Sequence, residues 1–520
     1  MSARAGRHEY GGGGLMRTVS GPTDHVVVVG AGFAGLSAAL HLAGRGRRVT
    51  VVEREEWPGG RAGRRDVGGY LVDTGPTVIT MPDILDEAFA AVGESYSQRV
   101  ELLPVEPAYR AVFADDASID VHTDADQMAT AVRDFAGPQE AAGYAALRDW
   151  LDKLYRTEFA GFIDANFDSP FSMLTPELAR LAALGGFRKW ETMVKRHIAD
   201  PRLRRVFTFQ SLYAGVAPKE ALAVYAVIAY MDTVAGVFFP RGGIRALPDA
   251  LAAAAQDAGV TFRYGANVTE LERSGERVRA VITDAGERIS CDAVVMTTEL
   301  PLTYELLSRR PKRLLPLRAA PSAVVLHLGA KANSAGLAHH TILFGDAWEQ
   351  TFTDIIRDGR LMQDPSLLVS CPSASDPSLA PPGRDLLYVL APAPNLSDGH
   401  VDWSTTAEPY TQSMLDTVSE RLLPNLCDDV ELLHIDTPAD WARQGMTAGT
   451  PFALAHTFAQ TGPFRPANLV RGIDNVVLAG SSTTPGVGVP TTLISGRLAA
   501  DRITGVPSRS TTNLDLKARL

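Results

Sequence analysis

One stretch near the N-terminus constrains the fold more than any other part of the chain. Residues 26–55 read VVVVGAGFAGLSAALHLAGRGRRVTVVERE. Short β-branched runs bounded by glycine or charge predict a buried strand at 26–29 and a second, parallel strand at 48–52. The alanine- and leucine-rich segment between them predicts a helix over 34–45. Together these elements indicate a strand–helix–strand unit of a parallel sheet.

Glycines at the spacing G-x-G-x-x-G connect the first strand to the helix. Gly30 permits the tight turn, Gly32 lets the backbone approach a pyrophosphate, and Gly35 lets helix and strand pack closely. The helix N-terminus offers free N–H groups and a favourable dipole to phosphates. Glu53, at the end of the second strand, suits hydrogen bonds to a ribose diol and would repel a 2′-phosphate. The unit therefore predicts a dinucleotide site that disfavours NADP.

Three separated blocks of sequence carry the remaining motifs. The first continues into PGGRA at 58–62 and GYLVDTGP at 69–76. There Arg61 either offers its guanidinium to a pyrophosphate or lies solvated on a loop. The second begins with FFPRGGIRALPDAL at 238–251, and the third is NVVLAGSSTTPGVGVPTTLISGRLAADRI at 475–503. The third block predicts a buried strand and a helix beginning near residue 489, whose N-terminus would favour an electron-rich group.

On these blocks the sequence resembles the FAD-dependent amine oxidase and carotenoid desaturase superfamily, and bacterial-type phytoene desaturases in particular. The distinguishing segments are DTGPTVITMPDIL at 73–85, FTFQSLYAGVAPKEALAVYAVIAYMDTVAGVFFPRGG at 207–243, and the third block. Thr484 stands where histidine is common in the family, which leaves the desaturase subtype open. The resemblance implies FAD as the cofactor.

The resemblance also implies an α/β fold. A discontinuous, Rossmann-like FAD-binding domain would be joined to a mixed substrate domain and a helical membrane-associating region. The expected boundaries are 24–100, 236–325 and 462–506 for the FAD-binding domain, 101–235 and 326–461 for the substrate domain, and 1–23 and 507–520 for flexible tails.

The residues expected to contact FAD come from all three blocks. In the superfamily, the backbone at a position like Val268 meets the adenine, and the third block lies against the ribityl chain and the isoalloxazine. The expected FAD-binding residues are Gly30, Ala31, Gly32, Ala34, Gly35, Glu53, Arg54, Gly60, Arg61, Gly75, Pro76, Thr77, Val268, Gly480, Val489 and Pro490. No metal site is expected.

The reaction implied by the resemblance is dehydrogenation of an acyclic carotene, with phytoene as the first choice, in carotenoid biosynthesis. A pocket recognises a hydrocarbon only by shape and apolar contact, so the flavin carries most of the chemistry. Asp232 is the one carboxylate within a strongly apolar stretch, and it is the candidate catalytic base for the lost proton. The alternative role of Asp232 is a structural hydrogen bond at a helix end. The expected electron acceptor is oxygen or a quinone.

Other functions remain open at this point. An amine oxidase-type enzyme of the superfamily would favour a lysine near the flavin and an aromatic cage, and no lysine of this chain lies in a motif that we can place there. Another carotenoid-modifying desaturase, isomerase or oxygenase of the family is a further alternative. A flavin-binding module without turnover is the alternative from a different class.

Charge and cysteine content restrict the partners and the compartment. The formal net charge of −10 argues against nucleic acid, whose binding needs a basic face. The three cysteines Cys291, Cys371 and Cys427 stand far apart, which predicts reduced thiols in a cytosolic protein. No apolar run reaches the roughly 18 residues of a membrane span, and ALAVYAVIAYM at 221–231 predicts a buried helix.

The segment at 180–205 is basic within this acidic chain, with eight Lys or Arg residues against two acids. The apolar residues of this segment recur at near-helical spacing, and they are Leu181, Leu184, Phe187, Trp190, Val194 and Ile198. The pattern fits a basic amphipathic helix on an anionic bilayer, and it fits equally a helix that packs this stripe on the core. The first alternative predicts a cytoplasmic enzyme peripherally associated with the membrane.

Overall fold

The structure is a computed structural model that describes residues 7–9, 15–311, 316–331 and 336–506. One of its two larger sheets has five strands. Every neighbouring pair of strands in this sheet is parallel. The strands, in order across the sheet, are Thr261–Arg263, Arg48–Val52, His25–Val29, Ala293–Met296 and Val476–Leu478. The strands predicted at 26–29 and 48–52 are confirmed, and all three sequence blocks contribute to one sheet.

The helices that cover this sheet pack very closely. The helix Phe33–Gly44 follows the first strand and lies against the helix Val489–Thr504, where Ser37 Oγ donates a 2.7 Å hydrogen bond to the Leu493 carbonyl oxygen. A Cβ atom added at Gly496 would lie only 2.2 Å from the Ala34 carbonyl oxygen. Glycine at 496 therefore permits the contact between the first and the last helix of this domain.

A seven-stranded mixed sheet forms the second layer, mainly from the segments predicted as the substrate domain. Its strands, in order, are Ser118–Val121, Tyr109–Val112, His340–Leu343, Leu367–Ser370, Arg384–Ala393, Ser322–Lys331 and Val430–Asp436. Only the pairing of Tyr109–Val112 with His340–Leu343 is parallel. The strand Ser322–Lys331 belongs to this sheet and crosses the expected domain boundary between residues 325 and 326.

The remaining strands form small antiparallel sheets. They are Arg7–Glu9 with Leu15–Arg17; Arg64–Val67 with Tyr70–Asp73; Ile79–Thr80, Val237–Pro240 and Leu102–Pro104; and Val268–Ser274, Arg277–Thr283 and Arg288–Ser290.

The α-helices of the described residues range from 4 to 21 residues in length. Their bounds are Phe33–Gly44, Pro82–Ala90, Ala125–Ala136, Pro138–Glu158, Pro176–Ala183, Trp190–Val194, Pro201–Val206, Val227–Tyr230, Ala246–Asp257, Leu300–Leu306, Trp348–Phe352, Pro372–Ser375, Trp403–Arg421, Leu426–Asp429, Pro438–Arg443 and Val489–Thr504. Wider π-helical turns occur at Phe159–Ile163, Met231–Ala235 and Thr353–Arg357. Within the described residues, every helix is too short or too polar to span a bilayer.

Part of the expected N-terminal tail is packed rather than flexible. Met16 and Val19 are buried, and the Val19 N–H donates a 3.0 Å hydrogen bond to the Arg502 carbonyl oxygen. Arg502 Nη1 in turn donates a 2.7 Å hydrogen bond to the Arg17 carbonyl oxygen. This end of the segment 1–23 is therefore part of the FAD-binding domain. Residues 1–6, 10–14 and the expected tail at 507–520 lie outside the described residues.

The expectation of one amphipathic helix over 180–205 is wrong. The chain forms three short helices there, because Gly185, with a φ of +82°, and Gly186 follow the first of them. Most of the apolar stripe packs in the core: Leu181, Trp190, Val194 and Ile198 are buried, Leu184 is half-buried, and only Phe187 is exposed. Most of the stripe therefore follows the second alternative and packs on the core.

Candidate functional site

One cavity of about 1520 Å³ connects the parallel sheet to the seven-stranded sheet. Its wall includes Gly30 and Glu53 from the dinucleotide unit, and Tyr213, Phe344 and Tyr388 from the substrate domain. The carboxyl ends of parallel strands are the usual ligand-binding edge of such a sheet, and the cavity begins at that edge.

Most of the residues expected to contact FAD line this cavity. They are Gly30, Gly32, Ala34, Glu53, Arg54, Gly60, Arg61, Gly75, Pro76, Thr77, Val268, Gly480, Val489 and Pro490. Ala31 and Gly35 are absent from the wall of the cavity. The three blocks are thus brought together around one cavity, although they are separated by hundreds of residues in the chain.

Glu53 is held by backbone donors on two sides. Its Oε2 accepts a 2.6 Å hydrogen bond from the Ala31 N–H, and its Oε1 accepts a 3.0 Å hydrogen bond from the Glu55 N–H. The residue is buried and lines the cavity. An ionised carboxylate has about four lone-pair sites, so these two bonds leave capacity for the hydroxyls of a ribose.

The glycines of the first turn are required by close contacts. Gly30 has a φ of +103°, and an added Cβ would lie 2.3 Å from Thr297 Oγ1. A Cβ at Gly35 would lie 2.0 Å from the Gly30 carbonyl oxygen. The turn between strand and helix therefore tolerates no larger side chain at either position.

Arg61 connects all three blocks. Its Nη1 donates a 2.8 Å hydrogen bond to Ser481 Oγ of the third block, and its Nη2 forms an ion pair with Glu299, which follows the strand Ala293–Met296 of the second. The guanidinium is half-buried in the cavity wall rather than solvated on a loop. It lies where it would contact an anion bound between the first and third blocks.

The donors along the cavity fit an FAD molecule. The helices Phe33–Gly44 and Val489–Thr504 both begin at a glycine that provides no side-chain cap, and both N-termini lie in the cavity wall. Uncapped helix N-termini favour anions and electron-rich groups. Glu53 could accept hydrogen bonds from the ribose of FAD, and Arg61 with the first helix N-terminus could bind its pyrophosphate. The second helix N-terminus could bind the electron-rich edge of the flavin.

Two histidines contact Thr77, one of the residues expected to bind FAD. The sequence motifs do not reveal them. His340 Nε2 is 2.8 Å from Thr77 Oγ1, and His339 Nε2 is 3.3 Å from the Thr77 carbonyl oxygen. Burial lowers the pKa of His340 well below its usual value and that of His339 to about 4, so both rings are neutral near pH 7. The two adjacent histidines, the second of which begins the strand His340–Leu343, are visible in the sequence, but their partner Thr77 lies 262 residues before His339 in the chain.

Asp232 lies in the cavity wall, within the π-helical turn Met231–Ala235. The stretch predicted as one buried helix is buried but consists of a 3₁₀ turn, the helix Val227–Tyr230 and this π-helical turn. Protein atoms surround Asp232 on most sides. The residue is half-buried and lines the cavity. Burial raises its pKa to about 7, an effect that the side chain of Gln210 opposes.

Five exposed apolar side chains lie on segments that contribute to the cavity wall, and we call them the apolar rim. The rim consists of Phe171, Leu174, Phe187, Phe458 and Phe464. Phe171 and Leu174 are 79% and 74% exposed, and the rings of Phe458 and Phe464 lie 5.8 Å apart. Phe187, Phe458 and Phe464 also line the cavity, so the rim is continuous with its interior. An exposed apolar cluster of this kind is typical of an interaction surface.

Comparison with known proteins identifies the family. The family model described as flavin containing amine oxidoreductase matches residues 33–504. A phytoene dehydrogenase from Streptomyces griseus is 61% identical over 492 residues, which cover 94% of this chain and 97% of that protein. A zeta-carotene-forming phytoene desaturase from Myxococcus xanthus is 36% identical over 485 residues, which cover 92% and 93% of the two chains.

Solved structures agree with this fold. An oxidoreductase from Methanosarcina mazei superimposes with a TM-score of 0.61 at 17% identity, covering 91% of this chain and 98% of that chain. A triple mutant of putrescine oxidase gives a TM-score of 0.61 at 15% identity, covering 96% and 100%. The cofactor expected from the sequence is thus confirmed as FAD, held in a mixed α/β fold. The chain belongs to the flavin-containing amine oxidoreductase family and is an FAD-dependent oxidoreductase.

Proposed function

We propose that this protein is a carotenoid desaturase, which dehydrogenates phytoene or a closely related acyclic carotene in carotenoid biosynthesis. The observation that carries the proposal is the single cavity that extends from the dinucleotide unit into an apolar chamber of the substrate domain. Relatives that are named phytoene dehydrogenase and phytoene desaturase, and that match more than nine-tenths of the chain, support the choice of substrate.

The chamber matches a hydrocarbon chemically. Its wall includes Phe162, Phe209, Ile342, Phe344 and Leu368, which offer apolar contact without hydrogen-bonding groups that would have to be desolvated. Such a wall excludes water and orients a long apolar substrate by shape alone. When bound, FAD supplies the hydride acceptor.

Asp232 is our proposed acceptor for the proton that leaves the substrate. A carboxylate oxygen of Asp232 would take the proton from the carbon next to the one that loses hydride. With a pKa of about 7, the side chain is partly ionised near neutral pH, which suits a general base. Its position in the cavity wall supports this role over a purely structural one.

The amine oxidase alternative has less support in the described residues. The lysines of the described part of the chain are Lys153, Lys189, Lys195, Lys219 and Lys331, and none of them lines the cavity. Likeness to putrescine oxidase is at the level of the fold, at 15% identity.

We also propose that the enzyme associates peripherally with a membrane through the apolar rim. A carotene is dissolved in lipid, so its entry requires that an opening of the cavity contact a bilayer. The exposed aromatic side chains of the rim would insert into the bilayer. The exposed cations Arg180 and Arg188 lie on neighbouring segments of the chain. Aromatic residues flanked by cations fit the interface of an anionic membrane.

The proposed function is tested by supplying phytoene in liposomes. Purified holoenzyme should convert phytoene into carotenes with longer conjugated systems, which chromatography with absorbance detection separates by spectrum. Oxidation of an amine by a preparation that leaves phytoene unchanged would refute the proposal and favour the amine oxidase alternative.

A further inference from the structure

Glu158 contributes a further carboxyl group to the cavity wall. This residue ends the 21-residue helix Pro138–Glu158 and directly precedes the π-helical turn Phe159–Ile163. Its side chain is only 7% exposed and lines the cavity. Neither the cofactor motifs nor the apolar stretch around Asp232 includes it.

Glu158 lacks the partners that a buried carboxyl group normally has. Within the described part of the chain, its Oε2 has no hydrogen-bond partner, and no ion pair involves the residue. Burial raises its pKa well above the usual value for a glutamate. Burial thus favours the protonated form of the group, which has one O–H donor to offer.

A chain of contacts relates Glu158 to the third sequence block. Glu158 is close enough to Tyr225 to contribute, after burial, to the raised pKa of that phenol. The rings of Tyr225 and His456 lie 5.2 Å apart in an edge-to-face arrangement. The Val487 N–H donates a 3.5 Å hydrogen bond to His456 Nε2, immediately before the helix Val489–Thr504. Glu158 thus lies on the side of the cavity where the third block begins its helix.

Asp232 has different neighbours. Its charge raises the pKa of Tyr109 and Tyr213, after the effect of burial. Glu158 and Asp232 are therefore two separate carboxyl groups of the cavity wall, each near different phenols. A hydrocarbon cannot accept a hydrogen bond from either, and an unsatisfied buried donor is unfavourable unless a ligand or water uses it.

We propose that the carboxyl group of Glu158, which is buried in the cavity wall with its Oε2 unpartnered, forms a hydrogen bond to an oxygen atom of a second, otherwise apolar ligand of the cavity. Two kinds of lipid-soluble molecule share this chemistry: a quinone, which would remove the electrons from the reduced enzyme, and a polyene with an oxygen-bearing end. The inference rests on the proposed function, because it assumes that the cavity admits lipid-soluble ligands.

The test uses holoenzyme and two variants of matched length. Glu158→Gln keeps a hydrogen-bond donor of nearly the same shape, whereas Glu158→Met removes it. Binding is measured by quenching of tryptophan fluorescence, since Trp348 and Trp441 line the cavity. One arm uses a short-chain ubiquinone analogue, a second uses a terminally hydroxylated carotene, and phytoene is the oxygen-free reference. Flavin content and melting temperature verify that both variants are folded.

The expected result is a selective loss. For one of the two oxygen-bearing probes, the affinity relative to that for phytoene should be about tenfold lower in Glu158→Met than in wild type, which equals about 1.4 kcal/mol. In Glu158→Gln the same ratio should stay within about threefold of the wild-type ratio. The arm that responds identifies the source of the oxygen. In infrared difference spectra, adding that probe should shift the carbonyl band of a protonated carboxyl group in wild type, and Glu158→Gln should lack this band.

An unchanged affinity ratio in both arms for both variants would overturn the inference. So would an infrared spectrum in which the Glu158 carboxyl group is ionised at pH 7. Failure of the proposed function gives a different result: the wild-type enzyme would then neither bind nor convert phytoene.

Discussion

The backbone N–H of Ala31 donates a 2.6 Å hydrogen bond to Glu53 Oε2, which fixes the acid at the end of one strand against the glycine turn at the end of its neighbour. The Glu55 N–H holds the other carboxylate oxygen at 3.0 Å. Glu53, our proposed ribose acceptor, is thus oriented before any ligand binds, and little entropy is lost in placing it.

Glu53→Gln should weaken FAD binding by about 1.5–3 kcal/mol, the range for a hydrogen bond to a charged group. A glutamine has one acceptor oxygen, so its NH₂ group would face either the Ala31 or the Glu55 N–H, two donors that both need an acceptor. The dissociation constant of FAD, measured by reconstitution of apoprotein, checks this. Glu56→Gln is the matched control, because Glu56 is exposed and outside the cavity wall. Equal affinities for the two variants would remove Glu53 from the site.

Gly35→Ala should damage both stability and FAD binding. The new Cβ would lie 2.0 Å from the Gly30 carbonyl oxygen, a backbone atom that cannot move without distorting the turn. We expect a loss of at least about 1–3 kcal/mol in the free energy of unfolding, as for overpacked cores, together with reduced flavin content. Gly161→Ala is the control, since its Cβ would come no closer than 3.7 Å to Glu177. Chemical denaturation of both variants makes the comparison, and equal unfolding midpoints would refute the packing argument.

The dinucleotide unit could be predicted from sequence because its signals are local. The valines at 26–29, the glycines and Glu53 lie within about 30 residues, the length of one strand–helix–strand unit. Each requirement there, a buried strand, a tight turn or an uncapped helix, acts on a few neighbouring residues. The same reasoning located the helix Val489–Thr504, whose N-terminus follows a glycine-rich turn.

Features that depend on distant partners could not be predicted in this way. The stripe containing Trp190 and Val194 has the periodicity of both a membrane-bound and a core-packed helix, and only the surrounding elements decide between them. Glu158 follows the charged stretch at 152–156 and gives no local sign of burial. Its burial arises because the end of its helix meets the cavity wall near Tyr225, which is distant in sequence.

Asp232→Asn should slow desaturation by roughly 10²–10⁴-fold, the usual contribution of a general base. Burial raises the pKa of Asp232 to about 7, and the base acts in its ionised form. The rate of the wild-type enzyme should therefore rise as the pH increases through about 7 and level off above it, and the variant should lack this rise. Rates are measured with phytoene in liposomes over a series of pH values.

Asp66→Asn is the control for this substitution, because Asp66 is exposed and does not line the cavity. Flavin content and liposome binding of Asp232→Asn should equal those of wild type. A near-normal rate with an unchanged pH profile would return Asp232 to a structural role.

Removing the apolar rim should weaken membrane binding without unfolding the protein. Phe171 and Leu174 are exposed, so replacing both with serine removes apolar area that is available for insertion rather than core packing. Each inserted side chain is worth up to about 1.5–3 kcal/mol, which predicts at least a tenfold loss in partition onto anionic liposomes in sedimentation assays. Leu433→Ser is the control, because Leu433 is also apolar and exposed but lies on the strand Val430–Asp436 of the seven-stranded sheet and is not part of the rim. Equal partition of the rim variant and wild type would mean that another face docks.

Anaerobic mixing of oxidised holoenzyme with phytoene in liposomes tests the central claim most directly. The proposed function predicts that the visible flavin absorbance bleaches as phytoene is consumed, with one double bond formed in the carotene for each flavin reduced. The product should show the red-shifted absorbance of a longer conjugated system. Flavin that remains oxidised with phytoene present, while an amine bleaches it, would contradict the assignment.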